Sequence, residues 1–435
     1  MEIPDDQLPA RFREQKAEIE KVLPVTVGVS SDGLGRPACL YETGVVLIHE
    51  EDMPNIAPEL GARRAGTTNS TGYVRFLTDD VPGTVARGRD LTRGVWHNHI
   101  VSICRVTSCP ADEPYPVFPG DPLPRNNYGD AGRGVRVRVL DTGLVDLADR
   151  EVAPWLAEGV YGVPDRPLGE HGRISLYAGH GTFIAGVLKC VAPAVTVIVT
   201  DEMSWAGQVT ELDLGIALEK VLDEADPPDI ICIAAGTESA TGEPLAALRS
   251  FMKKLRAQDR TLLVAAAGNN GGPQAFYPAA EAGRCSADAP PKVVAVGALR
   301  RDARGRACFS NDGEWVSVYA PGERLVNAFL DRGHYHYRHD STDTCAYRKE
   351  FYPHCTCVEP VHRYGEVVAF DGQARWSGTS FATPIVAGLV AAQMSEQGTT
   401  APQAARAVLD AAEWIEDDAD GKPLLRALPP GYRAG

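Results

Sequence analysis

The chain has 435 residues, a net charge of −15, 44% hydrophobic residues and 23% charged residues. A chain of this size and composition buries a large core, which excludes disorder as its dominant state. Its acidity argues against duplex nucleic acid or an anionic membrane as a main partner, because both repel it.

The N-terminus, MEIPDDQLPARFREQKAEIEKVL, has no basic start followed by an apolar run, so it does not read as a secretory signal. No apolar stretch reaches the 18 residues of a membrane span. A cytoplasmic location is therefore expected, with the ten cysteines mostly reduced. Residues 10–22 read as a short helix, and apolar runs follow at 25–29, 45–49, 74–77 and 100–106. Together they predict a small α+β unit over residues 1–109. Prolines at 110, 114, 116, 119, 122 and 124 exclude a helix and make residues 110–132 a linker or an extended arm.

From residue 133 the texture changes. Buried strands are expected at 135–140, 195–200, 229–235, 262–267 and 293–296, and helices at 211–224 and 244–258. In the first helix Leu214, Ala217, Leu218 and Val221 share a face. In the second Leu245, Leu248, Phe251, Met252 and Leu255 do. Strand–helix alternation predicts an α/β domain over 133–417, a mostly parallel sheet with helices on both faces. Residues 418–435 read as a tail.

Three segments carry the chemistry. Asp141-Thr-Gly ends a strand, where parallel sheets place ligand-facing groups. Gly179-His180-Gly181-Thr182 and Ser377-Gly-Thr-Ser380 each open an apolar helical run. A serine at a helix N-terminus has the positive end of the dipole beneath it, favourable to an oxyanion on a bound substrate. Each segment alone is weak: a lone Asp-Thr-Gly is usually a turn, and Gly-Thr-Ser is common at helix starts. The order Asp, His, Ser is that of the subtilisin triad.

With Ala265-Ala-Ala-Gly-Asn269, these segments make residues 133 to about 413 resemble the subtilisin-like serine proteases (subtilases). The resemblance implies a serine endopeptidase with Ser380 as nucleophile, His180 as base and then acid, Asp141 as its orienting carboxylate, and Asn269 as oxyanion donor. It places a protein or peptide substrate between two extended segments, Ser204-Trp205-Ala206-Gly207 and Ala234-Ala235-Gly236-Thr237. It builds the primary specificity pocket from Ala266, Ala267 and Gly268. Tyr277-Pro278 matches the pocket base, and Phe276 before it narrows the pocket toward small or medium side chains. No cofactor is required. Subtilases often bind calcium in loops that sequence does not reveal, so calcium is left unassigned.

The stretch between Asn269 and Ser380 is longer than a minimal subtilase needs. The surplus, about 329–372, holds His334, His336, His339, Cys345, His354, Cys355, Cys357 and His362. Zinc is not expected there, because no Cys-x-x-Cys pair occurs. A Cys345–Cys355 disulfide is disfavoured by a reducing compartment. The N-terminal unit has the size of a subtilase propeptide. Trp96-His-Asn-His-Ile100 before the Pro-rich stretch is similar to cytoplasmic-type subtilases of actinobacteria, which favours a permanent accessory domain able to dock a partner protein. The alternative to an enzyme is a catalytically silent scaffold of the same fold.

Overall fold

The computed structural model describes residues 2–8, 10–31, 37–54, 60–90, 94–103, 114–117, 129–146, 153–166, 174–175, 177–204, 207–284, 289–336, 366–417 and 420–432. The N-terminal unit comprises α1 (Ala10–Val22), β1 (Val27–Ser31), β2 (Pro37–His49), β3 (Arg63–Arg64), β4 (Tyr73–Leu77), α2 (Val81–Asp90) and β5 (Val95–Ser102). Its strands pair antiparallel in the order β3-β4-β2-β5, with β1 on β2. Side chains alternate across a strand, and β2 uses both faces. Val46 and Ile48 pack with Val81 and Val85 of α2. Leu47 faces the other way, onto Leu212, Ala246 and Ala247 of the larger region that follows. The unit is thus docked by a sheet face that would otherwise expose apolar side chains.

Docking is also by backbone. β5 pairs antiparallel with β9 (Gln208–Thr210), Ile100 opposite Thr210 and Ser102 opposite Gln208. Asn98 Oδ1 accepts from the Leu212 N–H at 3.1 Å, which satisfies an orphan donor in the first turn of α4 (Glu211–Leu222). The buried His99 meets Glu211 through Nδ1 at 2.5 Å, and its Nε2 accepts from the Ala240 N–H at 3.2 Å.

His97 lies beside them, buried against Tyr41 and His99, with Nδ1 unpartnered. Burial, with His99 adding to it, pushes its imidazole down to about 3. The unfolded chain takes up this proton near pH 6.5 and the folded chain only near 3. The neutral ring therefore contributes full stability above pH 6.5, and this contribution is lost as pH falls toward 3, at roughly 1.4 kcal/mol per pH unit. Thermal melts from pH 7 to pH 4 should show a shallower decline in His97→Phe than in the wild type. Parallel declines would contradict this assignment.

The larger region, from residue 133 on, is built on nine strands, all parallel except the last pair. They are β6 (Arg136–Leu140), β7 (Val160–Gly162), β8 (Thr196–Thr200), β10 (Ile230–Ile233), β12 (Leu262–Ala266), β14 (Val293–Leu299), β15 (Val318–Pro321), β20 (Glu413–Glu416) and β21 (Pro423–Arg426). Their order is β20-β21-β15-β14-β12-β10-β6-β8-β7. The central strands β10, β12 and β14 are buried at every residue, as a sheet covered on both faces requires. The helices form two groups, α3 (His180–Val191) with α6 (Thr379–Gln397) and α7 (Ala401–Ala411), and α4 with α5 (Arg249–Arg256). No helix among the described residues is long and apolar enough to cross a membrane.

Three expectations need correction. The helix read over 244–258 begins as a 3-10 turn, Ala246–Leu248, and becomes α5 only at Arg249. The Ala247 N–H donates to Glu211 Oε1 at 2.8 Å, a tertiary contact that periodicity does not reveal. The strand read at 100–106 starts earlier, at Val95, and its last three residues lie outside the described ones. Residues 423–426, read as part of a tail, are β21, where Leu424 is buried. Four residues are too few for a period-two pattern to stand out.

The surplus stretch starts and ends as a hairpin base, β17 (Gly333–His336) on β18 (Val367–Phe370). Residues 337–365, with most of the His/Cys cluster, lie outside the described residues, as do Cys104 and Cys109.

Candidate active site

Parallel strands put their C-terminal ends on one edge of the sheet, and the candidate residues collect there. Asp141 follows β6 and is fully buried. His180 opens α3 at a left-handed glycine, Gly179 (φ 71°), where a Cβ would strike Phe329. The two side chains meet: His180 Nδ1 lies 2.8 Å from Asp141 Oδ1 and 2.9 Å from Oδ2. A proton on Nδ1 directed at the carboxylate leaves Nε2 as the basic nitrogen. The imidazole is 1% exposed, walled by Trp376, Phe381 and Tyr177 at ring-centroid distances of 5.4, 5.2 and 6.1 Å. Such apolar walls strengthen the Asp–His attraction.

Ser380 is the second residue of α6, after Gly378 and Thr379. Its hydroxyl donates to the Ala234 carbonyl at 3.2 Å, and no hydrogen bond joins it to His180 among the described residues. Catalytic hydrogen bonds are often loose before substrate binds. Asn269 follows β12. Its Oδ1 accepts from the N–H of Thr379 at 2.9 Å and from the Thr379 hydroxyl at 2.9 Å. An N–H can only donate, so the orientation of the amide is determined and Nδ2 is its donor end. That end lies toward Gly378, 3.5 Å from where a Cβ would stand. The arrangement presents a base, a hydroxyl at a helix N-terminus and an amide donor on one edge.

Of the two extended segments, Ser204, Gly207, Ala234, Ala235 and Gly236 are described, whereas Trp205 and Ala206 lie outside the described residues. The end of β5 lies between these segments. Ser102 exchanges both backbone hydrogen bonds with Gly236, at 3.0 and 2.9 Å, and the Ile103 N–H donates to the Gly207 carbonyl at 3.0 Å. The chain engages the catalytic region again at Tyr115, whose backbone pairs with Arg375, at 2.9 and 2.7 Å. Ala266, Ala267 and Gly268 are buried beside Phe276. β11 (Thr237–Glu238) pairs with β13 (Phe276–Tyr277) and brings the Phe276 ring against two glycines. A Cβ on Gly236 would come within 2.3 Å of the ring, and one on Gly268 within 2.9 Å.

Three residues of the site escaped the sequence reading. Thr379 holds Asn269. Asn311 donates from Nδ2 to the Ala267 carbonyl at 2.7 Å and accepts at Oδ1 from the Asn270 N–H at 3.0 Å, so it pins the Asn269 turn. Thr182 accepts through its hydroxyl from the Val145 N–H at 2.8 Å. Thr379 and Thr182 lie within the quoted motifs, a signal that could have been used. Asn311 carried none.

The subtilase family profile matches residues 132–423. Subtilisin Savinase of Lederbergia lenta is 28% identical over 217 residues, 47% of this chain and 70% of that protein. The major intracellular serine protease of Bacillus subtilis (strain 168) is 28% identical over 223 residues, 47% of this chain and 63% of that protein. Against several alkaline proteases the chain spans about half their length, 49%. The solved structure of fervidolysin from Fervidobacterium pennivorans, a keratinolytic enzyme related to subtilisin, covers 89% of this chain and 60% of its own. Its TM-score is 0.54 at 17% identity, a likeness of fold.

Proposed function

The chain belongs to the subtilase family of serine endopeptidases, and from that membership we propose that it hydrolyses peptide bonds of a protein or peptide substrate through Asp141, His180 and Ser380. The observation that carries this is the buried Asp141–His180 pair on the sheet edge where Ser380 opens α6. His180 Nε2 takes the hydroxyl proton as Ser380 Oγ attacks the scissile carbonyl. Nδ1, held by Asp141, keeps the ring in the required tautomer. The oxyanion draws on Asn269 Nδ2 and the Ser380 N–H, at the positive end of α6. His180 then delivers the proton to the leaving amine, and water hydrolyses the acyl-enzyme by the reverse sequence. These side chains and water suffice for the chemistry. Labelling by a fluorophosphonate, absent in Ser380→Ala, tests the assignment. A chain that does not label is the silent scaffold.

The N-terminal unit acts as a built-in inhibitor. Ser102 and Ile103 pair where substrate strands add to the enzyme, so the cleft is filled while the unit is docked. Its sheet face is spent on the catalytic region, which leaves that face unable to dock a separate partner. The site works in a reducing, cytoplasmic setting. In support, Cys39, Cys190 and Cys232 are free thiols among the described residues, and one relative is by name an intracellular protease.

Phe276 sets specificity. Its ring stands against Gly236 and Gly268, 2.3 and 2.9 Å from where a Cβ would lie on each, and so narrows the pocket. The wild type should therefore favour small or medium side chains before the cut. Phe276→Gly should raise kcat/KM for Leu or Phe relative to Ala at that position by roughly 10–100-fold, the range that a few methylenes in an apolar pocket supply. A peptide-library profile led by Phe or Tyr in the wild type would refute the assignment.

A further inference from the structure

Asp165 belongs to no motif. It stands in the turn after β7, next to the Leu144–Pro164 bridge that ties this turn to the segment leaving Asp141. Its N–H donates to the Leu144 carbonyl at 2.7 Å, and its side chain is buried. Oδ1 accepts from the Arg166 N–H at 2.6 Å. Oδ2 accepts from the Gly179 N–H at 2.7 Å and lies 3.4 Å from Thr142 Oγ1. Those last two partners flank the Asp141–His180 pair. Gly179 precedes His180, and Thr142 follows Asp141 and donates its own N–H to Asp141 Oδ1 at 2.8 Å. The Thr142 hydroxyl also lies 3.3 Å from Asp141 Oδ1. It has one proton for two carboxylates and is shared between them.

A buried carboxylate with neutral partners carries a desolvation cost, and packing alone would be served as well by a neutral side chain. We propose that Asp165 is a positioning residue for the Asp141–His180 pair, a reading that rests on the peptidase assignment above. One oxygen holds the chain at both ends of the pair and sets the spacing across which Nδ1 meets Asp141. Its negative charge favours the imidazolium that forms when His180 takes the Ser380 proton, an interaction stronger in the transition state than before it.

Burial, with Asp141 adding to it, raises this carboxyl to about 6. The titratable and charged groups around it among the described residues are Asp141 on the β6 turn, His180 at the start of α3, and Arg166 and Asp146 in flanking turns, both exposed. The charge is therefore present above about pH 6 and is lost as pH falls through that value.

The test uses the full-length protein as purified, any self-cleavage included, with a chromogenic tetrapeptide carrying Ala before the cut. Asp165→Asn keeps the shape and removes the charge. It should lower kcat about tenfold with KM little changed, the scale of one lost charge-assisted contact in the transition state. The extra fall of the wild-type acid limb near pH 6 should vanish. An unchanged kcat, a change in KM alone, or an unaltered acid limb would overturn the proposal.

A second measurement needs no turnover. In Ser380→Ala the Nδ1 proton of His180 should give a low-field NMR resonance, which is expected to be lost in Ser380→Ala/Asp165→Ala with unchanged far-UV circular dichroism. Its persistence would overturn the proposal. A wild type that neither turns over peptide nor reacts with a fluorophosphonate instead sinks the peptidase assignment, and Asp165 is then decided by the resonance alone.

Discussion

Ser380→Ala should lower kcat by about 10⁶-fold, the size known for the corresponding serine of subtilisin. The reason is that the three side chains act as one unit. Without the hydroxyl there is no nucleophile, and His180 has no proton to accept. His180→Ala should cost nearly as much, and the double variant little more than either alone. Asp141→Asn should cost about 10⁴-fold, because the amide favours the wrong imidazole tautomer. The buried contact of His180 Nδ1 with both carboxylate oxygens is the geometry at stake.

The same variant reads out the N-terminal unit. Ser102 and Ile103 pair with Gly236 and Gly207, and Tyr115 pairs with Arg375, so a self-cut that releases the unit, against the permanent domain expected from the sequence, should fall between Ile103 and Tyr115. Intact mass should show a shortened product in the wild type and the full 46.7 kDa chain in Ser380→Ala. A full-length wild type that cleaves peptides would mean the unit stays attached and must undock to admit substrate. Near-wild-type hydrolysis by Ser380→Ala would sink the whole assignment.

Asn269→Ala should lower kcat about 10²–10³-fold with KM little changed, the loss known for the corresponding donor in subtilisin. The donor acts on the oxyanion and not on the ground-state carbonyl, which separates kcat from KM. Asn269→Asp sharpens the test. The carboxylate can still accept from the N–H and hydroxyl of Thr379 but offers no donor and adds a negative charge beside the oxyanion. It should be at least as damaging as Ala. A drop confined to KM in either variant would remove Asn269 from the oxyanion site.

Much of this chemistry was legible in the sequence because it is local. A helix needs a start, and Gly179-His180-Gly181 and Gly378-Thr379-Ser380 are starts. A buried parallel strand is a run of apolar residues, and Asp141 and Asn269 each follow one. Phe276 was singled out through its neighbour, the Tyr-Pro pair. Asn311 and Asp165 were not, because each works through backbone groups distant in sequence, and a single Asn or Asp in a turn has no periodicity to mark it. The N-terminal unit shows the same limit. Its strands read only in part as short apolar runs, with β5 displaced and β3 unmarked, and alternation in β2 does not say what Leu47 packs against.

The sequence alone therefore determined which groups the proposed reaction uses, their order along the chain, and the strand–helix alternation that a parallel sheet requires. Those properties depend on residue type and near neighbours. Only the tertiary structure decided that the end of β5 pairs with Gly207 and Gly236, that Thr379 turns the donor end of Asn269 toward Gly378, and that Asp165 ties the two sides of the Asp141–His180 pair together. Each of these is a hydrogen bond between segments far apart in the chain. Such a bond forms once the sheet has brought the strand ends to one edge, and a string of residue types does not encode that distance.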